Sequence, residues 1–189
     1  SMVGRVKMTY EEKTMKCDRI YEGKIVNLRI DTVELPDKKY SKREIVEHPG
    51  GVGVVAFDKD GRVLLVKQYR KATGSVLLEL PAGKLEVNEE PKETALRELK
   101  EETGYSAGKL EYLLEFYTSP GFSTEKVYLF LGEDLTPGEQ ELEAGEFIDL
   151  ESYTLEELHR MISRGEIMDS KTIIGIQTAA EIVRKRAEK

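Results

Sequence analysis

Three glutamates stand within five consecutive positions of one predicted helix: Glu98, Glu101 and Glu102. Residues three and four apart lie on the same face of an α-helix, so these carboxylates form a cluster of negative charge. Like charges at this spacing destabilise a helix, and packing alone rarely selects them. A divalent cation would convert the repulsion into binding energy, and carboxylate oxygens suit Mg²⁺ or Mn²⁺. The cluster therefore predicts a metal site; the alternative is a solvated acidic helix with Glu–Lys pairs.

The flanking residues predict where this helix begins and ends. Asn88 is the expected N-cap, because its side-chain oxygen can accept a hydrogen bond from a free N–H of the first turn. Pro91 falls within that turn, where its missing N–H costs little. Gly104 is expected to end the helix, since glycine readily adopts a positive φ. A Pro-Ala-Gly sequence at residues 81–83 interrupts the apolar run of residues 76–80, which predicts a strand, a glycine loop and an acidic helix in succession.

The stretch from Gly83 to Tyr105 resembles the signature of the Nudix hydrolases. That signature is Gly, five residues, Glu, seven residues, then Arg-Glu-apolar-any-Glu-Glu-any-Gly-apolar. The matching residues are Gly83, Glu89, Arg97, Glu98, Leu99, Glu101, Glu102, Gly104 and Tyr105. Tyr105 is a mild departure, because an aliphatic residue is usual there. Nine specified positions at fixed spacing make the match specific.

The resemblance implies a role for each member of this signature, which we call the box. Glu98 and Glu102 are expected to be direct metal ligands, and Glu101 a ligand or an acid behind the ligands. The carbonyl of Ala82 is expected to add a further oxygen. Arg97 is expected to orient the carboxylates through ion pairs. The implied cofactor is Mg²⁺, with Mn²⁺ as an alternative.

The resemblance also implies a general base outside the box, on a later loop. The acidic loop, residues 138–146, lies at the corresponding place in the chain. Glu143 is the first candidate for the base, followed by Glu146 and then Glu141. Small residues at positions 144 and 145 replace acids that often occur in this loop, which argues against a metal ligand from it. An exposed, charge-rich loop is the alternative interpretation.

Residues outside the box resemble the ADP-ribose pyrophosphatase subgroup. Pro120, in a Ser-Pro-Gly turn sixteen positions beyond Gly104, is similar to the mark of that subgroup and is a candidate substrate contact. Residues 43–56, 63–86 and 169–172 are also similar to it. The likeness implies hydrolysis of ADP-ribose to AMP and ribose 5-phosphate. Hydrolysis of other nucleotide sugars (GDP-mannose, UDP-glucose, ADP-glucose) and a non-catalytic ADP-ribose-binding sensor remain alternatives.

The same likeness suggests the remaining substrate contacts. Arg70 ends a predicted strand and matches the family's substrate arginine, whose guanidinium fork suits phosphate or ribose oxygens. Arg43 and Glu44 match residues that reach the substrate from a partner subunit. Glu125 resembles a ribose-contacting acid, and Ile25 is a candidate for packing against adenine. For Arg70, Arg43 and Glu44 the alternative is an ordinary surface strand residue, and for Ile25 it is core packing.

Composition excludes several classes of function. The 189-residue chain has a formal net charge of −7, which argues against nucleic acid as a partner because a duplex needs a basic footprint. Its single cysteine, Cys17, excludes an intrachain disulfide framework and a Cys-rich zinc site. No apolar run approaches the roughly 20 residues of a membrane span, and no signal-peptide pattern is present. A cytoplasmic enzyme that binds no membrane is the expectation.

The remaining patterns predict the elements that position these residues. After a polar arm over residues 1–15, period-two alternation over residues 16–47 predicts antiparallel strands. Residues 52–57 and 63–69 are expected to pair as a hairpin. The later expected elements are strands at 110–117, 126–131 and 147–150, an acidic stretch at 132–146, a helix from a capping box at Thr154 to Gly165, and a last helix from Asp169 or Ser170 to about Ala187.

This order predicts an α/β fold: an α/β/α sandwich with a mixed sheet, preceded by a small antiparallel N-terminal β segment. Residues 1–46 are assigned to the N-terminal arm and strands, and residues 47–189 to the catalytic domain. About thirty residues with one apolar face cannot stand alone, so this segment must pack on the main domain or on a partner. The family likeness implies exchange of such a segment across a two-fold axis, so we expect a homodimer.

Overall fold

A computed structural model describes residues 9–189 of the chain. It divides into two compact units. The first comprises the residues up to Pro49 together with Ser119–Glu125, and the second comprises Gly50–Thr118 together with Lys126–Lys189. The polar arm expected over residues 1–15 lies partly outside the described residues, and residues 13–15 already belong to the first strand.

The first unit is built on a three-stranded antiparallel sheet in the order β1-β2-β3. Its strands are β1 (Lys13–Glu22), β2 (Asn27–Glu34) and β3 (Tyr40–Glu47). This confirms the strands predicted from period-two alternation. The segment Ser119–Glu125 extends the sheet, because the N–H of Val46 donates to the carbonyl of Phe122 (2.7 Å) and the N–H of Thr124 donates to the carbonyl of Val46 (3.0 Å).

The second unit contains seven strands and three helices. The strands are β4 (Gly51–Ala56), β5 (Val63–Arg70), β6 (Ser75–Glu79), β7 (Ala82–Lys84), β8 (Ser106–Tyr117), β9 (Lys126–Thr136) and β10 (Ile148–Tyr153). The helices are α1 (Pro91–Thr103), α2 (Leu155–Ser163) and α3 (Ser170–Ala187). One sheet has the order β7-β4-β9-β8, with β4 and β9 parallel, and the other is antiparallel with the order β10-β5-β6.

Alternating side chains of β4 show how the sandwich is layered. Val52 and Val54 pack in one apolar cluster with Ala95 and Leu99 of α1. Val55 packs in a second cluster, which includes buried residues of α2 and α3. Helices therefore cover both faces of this mixed sheet, which confirms the predicted α/β/α sandwich.

Two predictions about local structure are wrong. The segments 52–57 and 63–69 pair only at one antiparallel bridge beside the turn, between Phe57 and Val63, and not as a full hairpin. Beyond that bridge, β4 pairs with β7 and β9, whereas β5 pairs with β6 and β10. Both carry apolar runs buried on both faces, and such strands take central positions whose partners a local pattern cannot specify. Asn88 is not the N-cap of α1 either. The N-cap is Glu90, whose extended backbone (φ −73°, ψ 147°) is the conformation favoured before Pro91.

Other helix ends are as predicted. Gly104 ends α1 with φ +80°. Thr154 caps α2 in a capping box with Glu157, and Asp169 caps α3 by accepting a hydrogen bond from the N–H of Thr172. Within residues 9–189, no helix combines the length and the apolar character needed to cross a membrane.

Candidate active site

Two carboxylates of α1 lie against the strand β7. Glu102 is only 7% exposed, and its Oε2 accepts a hydrogen bond from the N–H of Ala82 at 3.1 Å. Glu98, one helical turn earlier, lies so close to Gly83 that a Cβ at that position would overlap its carboxyl group. Glycine is therefore required here for space and not for an unusual φ. The glycine loop and α1 together bring Glu98 and Glu102 to one point.

Burial changes the acidity of both groups. Burial raises the pKa of Glu102 to about 8, the N–H of Ala82 opposes this shift, and the charges of Glu98 and Glu146 add to it. Burial likewise raises the pKa of Glu98 to about 7, against the opposing charge of Arg97. Two neighbouring carboxylates, one buried and one half-buried, thus carry negative charge that the surrounding protein does not fully compensate.

Arg97 is the main cation of the box. Its Nε and Nη2 donate to the two carboxylate oxygens of Glu89, each at 2.9 Å. Its Nη1 donates to Glu98 at 3.0 Å and to Glu101 at 3.2 Å. Hydrogen bonds from Arg97 and then Thr94 lower the pKa of Glu89 to about 2. The guanidinium therefore links three acids of the box, and Glu101 is directed towards Arg97.

The donor set fits a hard divalent cation. Glu98 and Glu102 supply carboxylate oxygens whose raised pKa values reflect uncompensated charge, and a cation would compensate it. Within residues 9–189, no three acidic, imidazole or thiol side chains converge into a complete metal cage. Mg²⁺ is typically held by one or two carboxylates, with water and substrate phosphate completing its shell. Two carboxylates are therefore a sufficient protein contribution to a site for a divalent cation.

The acidic loop is anchored to the end of α1. The side-chain amide of Gln140 donates to the carbonyl of Glu102 at 2.6 Å, and the N–H of Glu141 donates to the carbonyl of Glu101 at 2.8 Å. Lys100 donates from Nζ to the carbonyls of Gly104 (3.1 Å) and Glu139 (3.2 Å). The first half of the loop is thus fixed to the helix that carries the box.

Within the second half of the loop, Glu146 and Glu143 differ. The N–H of Glu143 donates to the Glu146 carboxylate at 3.0 Å, and the N–H of Glu146 donates to the carbonyl of Glu143 at 3.0 Å. Glu143 is exposed, whereas Glu146 is half-buried. The charge of Glu146 also raises the pKa values of Glu98 and Glu102. The structure therefore brings the second sequence candidate, Glu146, within electrostatic reach of the box.

Arg70 ends β5 and is held by a buried acid. Its Nε and Nη2 donate to the two carboxylate oxygens of Glu79 at 2.7 and 2.9 Å. This hydrogen bonding to Glu79 raises the pKa of Arg70, and the charge of Glu102 adds to the effect. The guanidinium of Arg70 is thus within electrostatic reach of the box as well.

The other predicted substrate contacts belong to the first unit. Arg43 makes a two-point ion pair with Glu12 at 2.8 and 2.9 Å, while Glu44 is exposed. Ile25 is 53% exposed, so it is not a core residue of that unit. Pro120 is exposed in the turn of residues 119–125, and Glu125 lies 3.4 Å from His48 Nδ1. Their roles as substrate contacts remain predictions.

Sequence reasoning missed two functional candidates, Glu79 and Gln140. Glu79 precedes the glycine loop in an otherwise apolar strand, and a charged residue at the inward position of a strand was the available signal. Gln140 gave no such signal, because a polar residue in an acidic loop is ordinary. Its importance depends on a contact between residues 38 positions apart.

Comparisons with known proteins agree with this geometry. The family model for the NUDIX domain matches residues 47–172. The chain is 48% identical to the ADP-ribose pyrophosphatase of Bacillus subtilis, over 88% of this chain and 91% of that protein. It is 46% identical to the methanol dehydrogenase activator of Bacillus methanolicus, over 89% and 92% of the two chains. A GDP-mannose pyrophosphatase of Enterobacter sp. is 32% identical, over 85% and 91%.

A solved structure shares the fold. The crystal structure described as an ADP compounds hydrolase superposes with a TM-score of 0.85, covering 95% of this chain and 98% of that one. Its sequence identity is 19%, so this likeness concerns the fold.

Proposed function

The chain belongs to the Nudix family, and from that premise we propose that it hydrolyses the diphosphate of ADP-ribose to AMP and ribose 5-phosphate with Mg²⁺. The observation that carries the proposal is the pair of carboxylates, the half-buried Glu98 and the buried Glu102, held against the glycine loop. The 48% identity with an ADP-ribose pyrophosphatase supports the choice of substrate.

The box residues divide into ligands and supports. Glu98 and Glu102 hold the cation, and the carbonyl of Ala82 adds an oxygen at the same place. When bound, the cation neutralises the diphosphate and polarises a P–O bond. Arg97 orients Glu98 and Glu101, since it donates to both. Glu101 supports the metal ligands through its hydrogen bond with Arg97 and does not itself bind the cation.

We place Glu146 before Glu143 as the group that takes a proton from the attacking water. Glu146 is half-buried and its charge acts on both box carboxylates, whereas Glu143 is exposed. A general base must lie within hydrogen-bond reach of the proton it removes, directly or through one water. Glu143 supports Glu146 by donating its backbone N–H to that carboxylate.

We propose six residues that recognise the substrate. Arg70 binds an anionic oxygen of the diphosphate through its guanidinium. Arg43 and Glu44 reach the substrate from the partner subunit, Glu125 contacts ribose and Ile25 packs against adenine. Pro120 is a further substrate contact. The exposed apolar side chains of the first unit, Ile20, Tyr21 and Ile25 among them, support its burial against a second copy, and we propose a homodimer.

A substrate panel tests the proposal. ADP-ribose, ADP-glucose, GDP-mannose, UDP-glucose and NADH are compared with Mg²⁺ present, and products are identified by chromatography. GDP-mannose is included because a GDP-mannose pyrophosphatase is a relative, and NADH because a dehydrogenase activator is another. We expect ADP-ribose to give the highest kcat/KM, with AMP and ribose 5-phosphate as products. Faster turnover of another compound would contradict the choice of substrate, and binding without turnover would indicate a sensor.

A further inference from the structure

Glu79 is a buried acid that lies outside the box. It ends β6 and is 2% exposed. Its Oε2 accepts from Arg70 Nε and its Oε1 from Arg70 Nη2, so the carboxylate and the guanidinium form a two-point fork. Such a fork fixes the plane of the guanidinium as well as its position. Glu79 therefore determines where Arg70 can point.

A second cation and the start of α3 hold Glu79 in turn. Lys171 Nζ donates to Glu79 Oε1 at 2.6 Å and to Asp169 Oδ2 at 3.0 Å. Asp169 Oδ2 also accepts from the hydroxyl of Thr172 at 2.6 Å. The same hydroxyl oxygen accepts from the N–H of Leu80 at 3.0 Å, which returns the network to the residue after Glu79. These hydrogen bonds form a closed ring, which restricts the movement of the Glu79 carboxylate.

Arg70 differs from the other members because it is partly open to solvent. Its side chain is 43% exposed, whereas those of Glu79 and Lys171 are 2% and 15% exposed. The fork uses Nε and Nη2, and Nη1 has no hydrogen-bond partner within residues 9–189. Glu79, which holds Arg70, ends β6 three positions before Ala82, whose N–H donates to Glu102 Oε2 at 3.1 Å, so the fork lies where the chain enters the box. One donor group of a rigidly held cation thus remains free beside the site.

Fold stability alone is a poor reason for this arrangement. Burying a charge costs several kcal/mol, and a well-packed apolar replacement of a buried ion pair is often neutral or stabilising. Burial by itself raises the pKa of Glu79, yet Arg70 and Lys171 bring it below its ordinary value, so the group stays ionised. An ionised acid with two cations is what the orientation of a substrate-binding arginine requires.

We propose that Glu79 is a positioning residue of the hydrolase: it holds the guanidinium of Arg70 where that group binds an anionic oxygen of the substrate diphosphate, and Lys171 holds Glu79. This proposal rests on the proposed diphosphate hydrolysis. Glu79 does not touch substrate, so its whole effect on the reaction passes through Arg70.

A double-mutant cycle tests this dependence. Glu79→Gln, Arg70→Ala and the double variant are compared for kcat and KM with the best substrate of the panel. Glutamine keeps the size of the side chain and removes its charge. We expect Glu79→Gln to lower kcat/KM about tenfold or more, mainly through KM, because uniform substrate binding is lost. In the Arg70→Ala background, the same change should have almost no further effect.

Two further variants distinguish a positioning role of Glu79 from an effect on the stability of the fold. Ile176→Val, a buried truncation in α3, should lower the melting temperature without raising KM. Lys171→Met removes the second cation and leaves the fork, so it should raise KM a few-fold, again only when Arg70 is present. Lys171→Met also tests the proposal if Glu79→Gln does not fold. Effects that add to that of Arg70→Ala, or an equal rise in KM for Ile176→Val, would overturn the proposal.

Binding gives a readout that needs no turnover. The affinity for α,β-methylene ADP-ribose, a non-hydrolysable diphosphate, is measured by calorimetry across the same cycle with Mg²⁺ present. We expect the loss of affinity to follow the loss of kcat/KM. If the wild-type protein prefers another diphosphate, the choice of ADP-ribose as substrate is wrong. The double-mutant cycle, repeated with that compound and its methylene analogue, then still tests the positioning role of Glu79. If ADP-ribose ranks first and the effects are additive, the positioning role fails alone.

Discussion

Helix α1 and the acidic loop are both rich in glutamate, yet their carboxylates have different surroundings. Glu102 of the helix is buried and Glu98 is half-buried against β7, and their pKa values rise to about 8 and 7. In the loop, Glu141 and Glu143 are exposed. Glu146 resembles Glu98, since it is half-buried and its charge raises the pKa values of both helix carboxylates. Burial, and not the number of acids in the sequence, therefore distinguishes groups that can hold a cation from groups that only interact with water.

The largest effect should follow removal of one buried carboxylate. Glu102→Gln should lower kcat about a thousandfold, which corresponds to about 4 kcal/mol of transition-state stabilisation. The matched control is Glu141→Gln in the loop, which should leave kcat within about threefold because that side chain is exposed. Steady-state kinetics with ADP-ribose and Mg²⁺ measure kcat for both variants. Near-normal turnover of Glu102→Gln would remove its role as a metal ligand.

A single methyl group on the glycine loop should have the next largest effect. Gly83→Ala places a Cβ where the Glu98 carboxyl lies, and that flexible side chain must move away. We expect kcat to fall about a hundredfold, on the order of 3 kcal/mol, while the fold is retained. Gly121→Ala is the matched control, because in residues 9–189 no atom other than those of its chain neighbours lies within 4 Å of the added Cβ. Full activity of Gly83→Ala would show that the position of Glu98 is unimportant.

Two matched substitutions in the acidic loop distinguish the role of Glu146 from that of Glu143. Glu146→Gln should lower kcat about a hundredfold, as expected for loss of a general base. Glu143→Gln should lower kcat less than about threefold, because its contact with Glu146 is made by its backbone N–H. The opposite order of effects would restore Glu143 as the base.

The smallest effect concerns stability and pH in the absence of metal. Because folding raises the pKa values of Glu98 and Glu102, the folded protein binds more protons than the unfolded chain between about pH 4 and pH 8. The free energy of unfolding in EDTA should therefore fall by a few kcal/mol as the pH rises from 5 to 9. Mg²⁺ should reverse the loss, and Glu102→Gln should reduce it. Urea denaturation at several pH values measures all three. A pH-independent stability in EDTA would contradict the pKa shifts.

Much of the helix region could be predicted from the sequence. The spacing of Glu98 and Glu102 and the end of the helix at Gly104 are local features, since helical periodicity and glycine conformation act within a few residues. The cap was missed because Pro91 restricts the residue before it, and this backbone effect outweighed the side-chain preference of Asn88. Local rules thus determined the helix to within one turn.

The loop and the strand pairing could not be predicted in the same way. The order of Glu143 and Glu146 depends on which of the two turns towards Glu98 and Glu102, more than 40 positions earlier in the chain. The hairpin predicted for residues 52–57 and 63–69 is limited to one bridge, between Phe57 and Val63, because each strand has two other neighbours. Contacts between distant segments produce no periodic pattern in the sequence, so they cannot be predicted from local spacing.

By itself, the sequence determined the chemistry of this protein: the types and spacing of the box residues specify a cation, a diphosphate and the Nudix family. The tertiary structure alone decided which groups carry a perturbed charge. Glu102 meets the N–H of Ala82, Arg70 meets Glu79, and Glu146 lies near the box. The physical reason is that burial and distance set the energy of a charge, and both depend on how separate segments pack together.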